Sequence, residues 1–338
     1  MLSTEIKNES GLNILTLFNG ISGMHLACDV AGINVSNCYY SEIDKYANKV
    51  TEKQYPNDIP LGDVTKWRDW DIDWSSIDLV GAGFPCQSWS VAGQQMGDKD
   101  ERGMLFWTTL DIISHVLKHN PEAKFLMENV KMKKEFEEYI THHTEQALGS
   151  VYKILINSAL VSAQNRNRYY WTNFEVKQPE DRGILLKDIL EDQCDSFGGA
   201  IRGRYNTDGS TSQRLECNNQ EKTNSLTTVQ KDNVVIRATV QKNAEHTYNG
   251  KCPTLTAAMG CGGGNVPLYT DINTASKFKG LYIDTDDRLQ YRKLTPLECE
   301  RLQTLPDNWT DCISNTQRYK SIGNGWTIDV IAHILKFI

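Results

Sequence analysis

Along the first half of the chain, short apolar runs that empty into glycine and polar residues alternate with stretches where apolar residues recur every three or four positions. Asn13 to Phe18 (N-I-L-T-L-F) predicts a strand, which turns through Asn19-Gly20-Ile21-Ser22-Gly23 into an amphipathic helix ending at Gly32. Asn34 to Ile43 predicts the next strand, closing on Glu42 and Asp44. In Ile77 to Gly93 (I-D-L-V-G-A-G-F-P-C-Q-S-W-S-V-A-G), the run Ile77, Leu79, Val80 predicts a buried parallel strand that empties into glycines, Pro85 and Cys86. Ser88 to Arg102 has no apolar period and reads as a loop. Phe106, Leu110, Ile113 and Leu117, spaced four, three and four apart, predict a helix that stops before Pro121. Lys124 to Met127 predicts a strand that delivers Glu128-Asn129-Val130 to the same sheet edge. Lys133 to Leu148 reads as helix and Tyr152 to Leu160 as a further strand, which runs into Gln164-Asn165-Arg166-Asn167-Arg168 and the aromatic Tyr169-Tyr170-Trp171. Such alternation predicts an α/β fold on a doubly wound parallel sheet.

Near Gln193 the texture changes. Residues 195–290 lack helical periodicity and are rich in Gly, Asn, Thr and Ser. Two pieces within them look alike, Lys222-Thr-Asn-Ser-Leu-Thr-Thr-Val and Lys251-Cys-Pro-Thr-Leu-Thr-Ala-Ala-Met, offset by 29 residues. They predict related strand–loop–strand units in a second, smaller, mainly β domain; two copies are too few for a solenoid. Regular structure resumes at Tyr291. Thr295-Pro296-Leu297-Glu298 is a capping box with proline at the first helical position, starting a helix that ends before Pro306. The chain closes with Ser321-Ile-Gly-Asn-Gly-Trp326 and an apolar helix from Ile328 to Ile338.

Length and composition constrain this picture without changing it. The 338 residues suit one large domain with a smaller companion. No apolar run approaches the length of a membrane span, and Met1 to Ser10 is polar. Nine cysteines, scattered without C-x-x-C spacing, argue for free thiols in a reducing compartment and against a disulfide framework or a zinc site. The seven histidines show no ligand pattern, and His142-His143 is expected to be solvated on its charged helix, so no metal is expected. Net charge is −7, which taken whole argues against a nucleic-acid partner. Gly198 to Thr270 nevertheless holds eight Lys/Arg against five Asp/Glu, the local positive balance that phosphate contact requires.

Two places carry candidate chemistry. A Gly-rich turn opening a helix, with Glu42 about 20 residues beyond it to accept from ribose hydroxyls, suits a nucleoside-containing cofactor. Asp63, in Gly62-Asp63-Val64, suits either an adenine amino group or a plain helix cap, and the Trp67, Trp70 and Trp74 cluster reads as packing. Cys86 at a strand's carboxyl end reads either as a nucleophile or as an ordinary core thiol.

In order, F-N-G-I-S-G, S-E-I-D, G-D-V, G-F-P-C-Q-S-W-S, M-E-N-V, Q-N-R-N-R, R-K-L-T-P-L-E-C-E-R-L-Q and I-G-N-G-W closely resemble the successive motifs of the C5-cytosine DNA methyltransferase family. The resemblance covers Asn13 to Ala332, and its variable gap falls where that family keeps a target recognition domain. It implies a Rossmann-like S-adenosylmethionine-dependent catalytic domain over residues 1–190, completed by 318–338, with a target recognition domain and hinge over 191–317. It implies that a Cys86 thiolate adds to cytosine C6 and pushes electron density onto C5. Glu128 is implied at cytosine N3, with a partly protonated carboxyl, and Arg168 with Arg166 at the target base and its phosphate. S-adenosylmethionine is the implied methyl donor, lined by Phe18, Gly20, Gly23, Ile43, Val64, Leu105 and Asn324, with Glu42 on ribose and Asp63 on adenine. The cytosine must leave the duplex to be reached, with Ser88 to Arg102 closing over it. The chain departs from the family where an acidic residue stands just before Leu-Phe or directly after the Phe; Thr16 and Asn19 occupy those places.

Gln87, Ser90, Arg202, Arg204, Arg214, Arg237 and Thr254 are the expected DNA contacts, with residues 195–290 reading the major groove. Two rivals stand beside this reading. A tRNA cytosine-5 methyltransferase on the same scaffold typically carries Cys-Phe-Thr in the target region, which is absent between Asp195 and Gln290. A catalytically inactive DNA-binding regulator would not need Cys86, Glu128 and Arg168 together. The expected form is a monomeric bacterial or phage enzyme acting on duplex DNA in the cytoplasm, and neither the flanking bases nor an accompanying restriction endonuclease is encoded in any motif.

Overall fold

A computed structural model describes residues 11–85, 101–191, 196–205, 210–218, 222–226, 233–237 and 291–338. The apolar runs become β1 (Leu12–Leu17), β2 (Val35–Ser41), β3 (Ile59–Pro60), β4 (Leu79–Ala82), β5 (Lys124–Val130), β6 (Tyr152–Asn157) and β8 (Asn167–Thr172). They form one seven-stranded sheet in the order β3-β2-β1-β4-β5-β8-β6. Strands β1 to β5 are mutually parallel. Their register levels the carboxyl ends: Leu17 stands opposite both Ser41 and Ala82, and Ala82 opposite Met127. Phe18, Glu42 and Gly83 therefore leave the sheet along one edge, level with Glu128 of β5, at the point where open α/β sheets hold ligands.

Side-chain alternation sends neighbouring residues to opposite faces, and each face has its own core. Ile14, Leu79, Leu126 and Tyr170 join one, with the helices α1 (Gly23–Ala31), α2 (Lys45–Gln54), α5 (Pro296–Leu302), α6 (Asn315–Asn324) and α7 (Ile328–Leu335). Leu15, Val80, Phe125 and Trp171 join the other, beneath α3 (Glu101–His119) and α4 (Lys134–Leu148). Trp67 and Trp70 are buried in this second core, as packing predicts. Helix α7 packs on α1 and buries Ile328, Val330, Ile331, Ala332, Ile334 and Leu335, so the end of the chain closes the core that its beginning opens. At roughly 1.5–3 kcal/mol for each fully buried large aliphatic side chain, this packing is a major part of the fold's stability.

Four expectations change. The sheet is mixed rather than parallel, because β8 runs antiparallel between β5 and β6. Only residues 158–166 separate β6 from β8, and a parallel crossover needs about a dozen or more. Strand β6 ends at Asn157, not Leu160, since the Asn157 side chain accepts from Ala159 N at 3.1 Å and starts a 3-10 turn over Ser158–Leu160. Arg102 belongs to α3, so the loop expected to reach it ends by Glu101. His143 is half-buried against Trp107 and Tyr139, while His142 is exposed.

A second sheet, β10-β9-β12-β13, is antiparallel and uses Ser196–Tyr205 (β9), Thr211–Asn218 (β10), Asn233–Arg237 (β12) and Tyr291–Lys293 (β13). Between its strands, Thr223–Asn224 (β11) pairs in parallel with Gln164–Asn165 (β7), docking this segment on the main body. The capping box at α5 forms as read: Glu298 N donates to Thr295 Oγ1 at 3.2 Å, and Thr295 N to Glu298 Oε2 at 2.9 Å. Leu294, Cys299, Leu302, Leu305, Trp309 and Ile313 sit in the same core as Ile14. Among the described residues no helix is long and apolar enough to cross a membrane.

Candidate active site

The turn after β1 is held in a conformation that side chains rarely adopt. Phe18, Gly20 and Ser22 have φ of 56°, 58° and 65°, all left-handed. For Phe18 and Ser22 this costs on the order of 1–3 kcal/mol each and persists only where surroundings enforce it. Glu42 supplies part of that enforcement. Its Oε2 accepts from Gly20 N at 2.8 Å, and its Oε1 from Ile43 N at 2.9 Å and Asp44 N at 2.8 Å. One carboxylate thus ties the glycine turn to the end of β2.

The two positions that depart from the family pattern are partners. Thr16 Oγ1 donates to Asn19 Oδ1 at 2.8 Å, and Asn19 Nδ2 to Thr51 Oγ1 at 3.1 Å. Ser22 Oγ also donates to Thr51 Oγ1, at 2.8 Å. Thr16, Ser22 and Thr51 are buried, so a neutral network braces the turn.

These residues suit a nucleoside-bearing cofactor. Ile43 is 77% exposed, an apolar side chain uncovered directly beside Glu42 at the sheet's carboxyl edge. Asp63 caps the 3-10 helix Val64–Asp69: its Oδ1 takes both Thr65 N and Thr65 Oγ1 at 2.9 Å, and its Oδ2 meets no described residue. The plain capping role is real, and one carboxylate oxygen remains available beyond it. Val64 is buried and Leu105 half-buried in the core beneath α3, Gly23 opens α1, and Asn324 is exposed at the end of α6.

At the neighbouring strand ends a second cluster forms. Glu128 is 8% exposed. Its Oε1 pairs with Arg168 Nε at 2.9 Å, and its Oε2 accepts from Trp326 Nε1 at 3.1 Å. Antiparallel register brings the arginine there, since Val130 of β5 stands opposite Arg168 and Glu128 opposite Tyr170. The Tyr170 hydroxyl is pushed far above its ordinary range, first by burial and then by the Glu128 charge. Asn129 is also buried, and its Nδ2 donates to Phe84 O at 3.2 Å, pinning the chain two residues before Cys86. Trp326 and Asn129 were visible only as letters within I-G-N-G-W and M-E-N-V; nothing in their spacing announced these bonds. Cys86 itself, with Gln87 and Ser90, lies outside the described residues.

Arg166 points into the protein. It is 4% exposed, and its guanidinium donates to Leu226 O at 3.1 Å, Gly325 O at 2.9 Å and Gly323 O at 3.4 Å. Turned inward onto these carbonyls, it clamps the 222–226 segment to the turn before α7. Lys222 is drawn inward too, donating to Ala159 O, Ser162 O and Ile184 O at 2.9, 3.1 and 2.5 Å, with burial pulling its pKa down.

Of the expected DNA contacts, Arg202 and Arg204 lie in β9, Arg214 in β10 and Arg237 in β12; register pairs Arg202 with Arg214, Arg204 with Ser212 and Arg237 with Ser196. Thr254 is outside the described residues. Among the described thiols, Cys28 and Cys38 are core groups: burial and then Asp29 push Cys28 up to about 12, and Cys38 is raised by burial and Asp58. Cys38 shares a cluster with His25 and Asp58, in which His25 Nδ1 already lies 2.9 and 3.1 Å from the Asp58 oxygens.

Comparisons with known proteins give the family and the fold. Residues 12–338 match the sequence profile of the family described as C-5 cytosine-specific DNA methylase. The chain is 30% identical over 338 residues to the type II methyltransferase M.NlaX of Neisseria lactamica, covering 95% of this chain and 94% of that protein. It is 27% identical over 357 residues to M.HhaI of Haemophilus parahaemolyticus, covering 99% and 96%. In fold it resembles Entamoeba histolytica EhMeth (TM-score 0.61, 14% identity, 97% of this chain and 98% of that one) and a Spodoptera frugiperda DNMT2 variant (0.58, 18%, 96% and 99%). A near-complete profile match, joined to relatives of the same length, makes this chain a member of the C-5 cytosine-specific DNA methylase family, whose members methylate cytosine C5 in DNA from S-adenosylmethionine.

Proposed function

We propose that this enzyme acts through Cys86, Glu128 and Arg168 on a cytosine turned out of duplex DNA. The observation that carries the assignment is the Glu128–Arg168 pair at the carboxyl edge of β5, level with the strand that leads to Pro85 and Cys86. A thiolate at Cys86 adds to cytosine C6, forming a C–S bond while the C5–C6 π electrons move onto C5. Glu128 shares a proton with cytosine N3, offsetting the charge that the adding thiolate brings to the ring, and Arg168 holds that carboxyl in place and faces the base with the N–H groups not bonded to Glu128 or Asn167 O. Bound S-adenosylmethionine supplies an electrophilic methyl group to C5. Loss of the C5 proton to a base then restores the double bond and expels the Cys86 thiolate. Glu42, Asp63 and Ile43 hold the nucleoside part of the cofactor, Phe18, Gly20 and Gly23 shape its turn, and Val64, Leu105 and Asn324 line it. Arg166 we assign to positioning rather than to the base.

We place target recognition in the second sheet, with the return to the catalytic body at Leu294 rather than at residue 318; the shared core of Leu294 to Ile313 with Ile14 supports that boundary. Arg202 opposite Arg214 puts two like charges across one antiparallel pair, unfavourable alone and suited to a polyanion. Labelled S-adenosylmethionine offered with duplex DNA, tRNA and a Cys86→Ala control tests the whole. Label is expected in DNA only and only with Cys86 intact; label confined to tRNA, or surviving the substitution, would overturn the reading.

A further inference from the structure

We propose that Trp326 is a positioning residue for Glu128, coupling the turn that precedes α7 to the target-base carboxylate. The inference rests on Glu128 having the role given above. Two donors from separate parts of the chain fix this carboxylate, Arg168 Nε on one oxygen and Trp326 Nε1 on the other. A carboxyl held at both oxygens cannot rotate about its terminal torsion, so its free lone pairs keep one direction.

The indole is itself held from two sides. A Cβ added at Gly83 would lie 2.8 Å from Trp326 Nε1 and 3.2 Å from Cε2 and Cζ2, so the glycine before Phe84 and Pro85 makes room for the ring. A Cβ at Gly23 would lie 3.6 Å from Cε3, an ordinary approach to the first residue of α1. The backbone around Trp326 is clamped as well. Gly325 O accepts from Arg166 at 2.9 Å and from Gln303 Nε2 at 3.2 Å. On the other side Thr327 Oγ1 donates to Gln303 Oε1 at 2.8 Å and accepts from Ser158 Oγ at 2.9 Å. A tryptophan merely filling space needs neither a bond from its N–H to an acid nor a buried polar frame on both flanks. The arrangement places one rigid side chain between the cofactor turn, the strand leading to Cys86 and the base-facing carboxylate.

Trp326→Phe keeps a ring over Gly83 and Gly23 and removes the N–H. The step to follow is exchange of tritium from C5 of cytosine in labelled duplex DNA without cofactor, since reversible thiolate addition and C5 protonation need Glu128 but no methyl donor. W326F is expected to slow exchange about tenfold, the loss of one hydrogen bond to a charged group. S-adenosylmethionine affinity by calorimetry should stay within about twofold. In a Glu128→Ala background W326F should add less than about twofold, because the two act as a unit. Replacing Trp326 by benzothienylalanine, of the same shape without the N–H, gives the same pattern and covers poor folding of W326F. If E128A leaves exchange intact, the reading of Glu128 itself fails. If E128A slows exchange and W326F slows both backgrounds equally, slows neither, or weakens cofactor binding in step, the Trp326 proposal is overturned.

Discussion

At the scale of single residues, the paired arginines of Q-N-R-N-R show how like letters acquire unlike roles. Arg168 meets a carboxylate at the sheet edge, whereas Arg166 is spent on three buried carbonyls. Replacing Arg166 with Met should take the guanidinium from the Leu226 and Gly323 carbonyls, Gly325 O keeping Gln303, and lower the unfolding free energy by about 2 kcal/mol in denaturant titration. Arg168→Met takes one of two donors from a buried carboxylate and also costs stability, so activity tells the two apart: it should abolish most methyl transfer per folded molecule, and Arg166→Met should not. The reverse ranking would show that Arg166, not Arg168, faces the substrate. Sequence alone assigned the two alike because both stand in Q-N-R-N-R, and a motif match carries no side-chain direction; residues two apart share a face only along a continuous strand. The ladder is broken at Arg166, between β7 and β8, so that period does not carry across. The Thr16 and Asn19 departure was legible, but its compensation was not, since Thr51 lies on another helix. Thr51→Val should loosen the turn by about 1 kcal/mol for the missing bonds, read as weaker S-adenosylmethionine binding with duplex DNA affinity unchanged. Unchanged cofactor affinity would mean that Glu42 alone sets the turn.

Among elements, those whose signals are local were legible and those set by distant partners were not. The first strand and helix, the capping box and the terminal helix depend on periodicity and caps a few residues apart. The reversal of β8 depends on a connection too short for a crossover, and the ends of β6 and α3 on a side-chain cap and a helix start that hydropathy does not mark. Asp44 joins the two kinds. It caps α2, accepting from Tyr46 N at 2.9 Å, and reaches Lys320 of α6 at 2.6 Å. Burial would raise its pKa, but the Lys320 bond and the Tyr46 N–H outweigh burial and hold it below the ordinary value. A carboxyl with a depressed folded pKa contributes stability that is complete above the unfolded value near pH 4 and is lost as pH falls through the folded one. Asp44→Ala should therefore cost about 1 kcal/mol at pH 7. The gap to wild type should narrow below about pH 4, in melting curves taken across that range. A gap that persists undiminished in acid would assign the effect to packing rather than to charge.

For the molecule as a whole, an acidic chain that acts on DNA must concentrate its positive charge, and the net value of −7 hides where. Residue counts pointed to Gly198 to Thr270, but the fold withdraws Lys222 from that total by burying its ammonium against carbonyls of the catalytic body. What remains in the described strands is the set Arg202, Arg204, Arg214 and Arg237, with Arg202 and Arg214 directly opposite each other. Two consequences of opposite sign follow from one register. Without DNA, Arg202→Gln or Arg214→Gln removes a cross-strand repulsion and should raise stability by a few tenths of a kcal/mol. With DNA, removing one arginine–phosphate ion pair should reduce the slope of log K against log salt by about one, and the double variant should reduce it by about two. A structural arginine would lower stability and leave the slope alone; a base-reading one would relax site preference with the slope nearly intact. Titrating duplex DNA at several salt concentrations, beside thermal melts of the free proteins, separates the three. Slopes unchanged in all variants would remove β9 and β10 from the DNA interface.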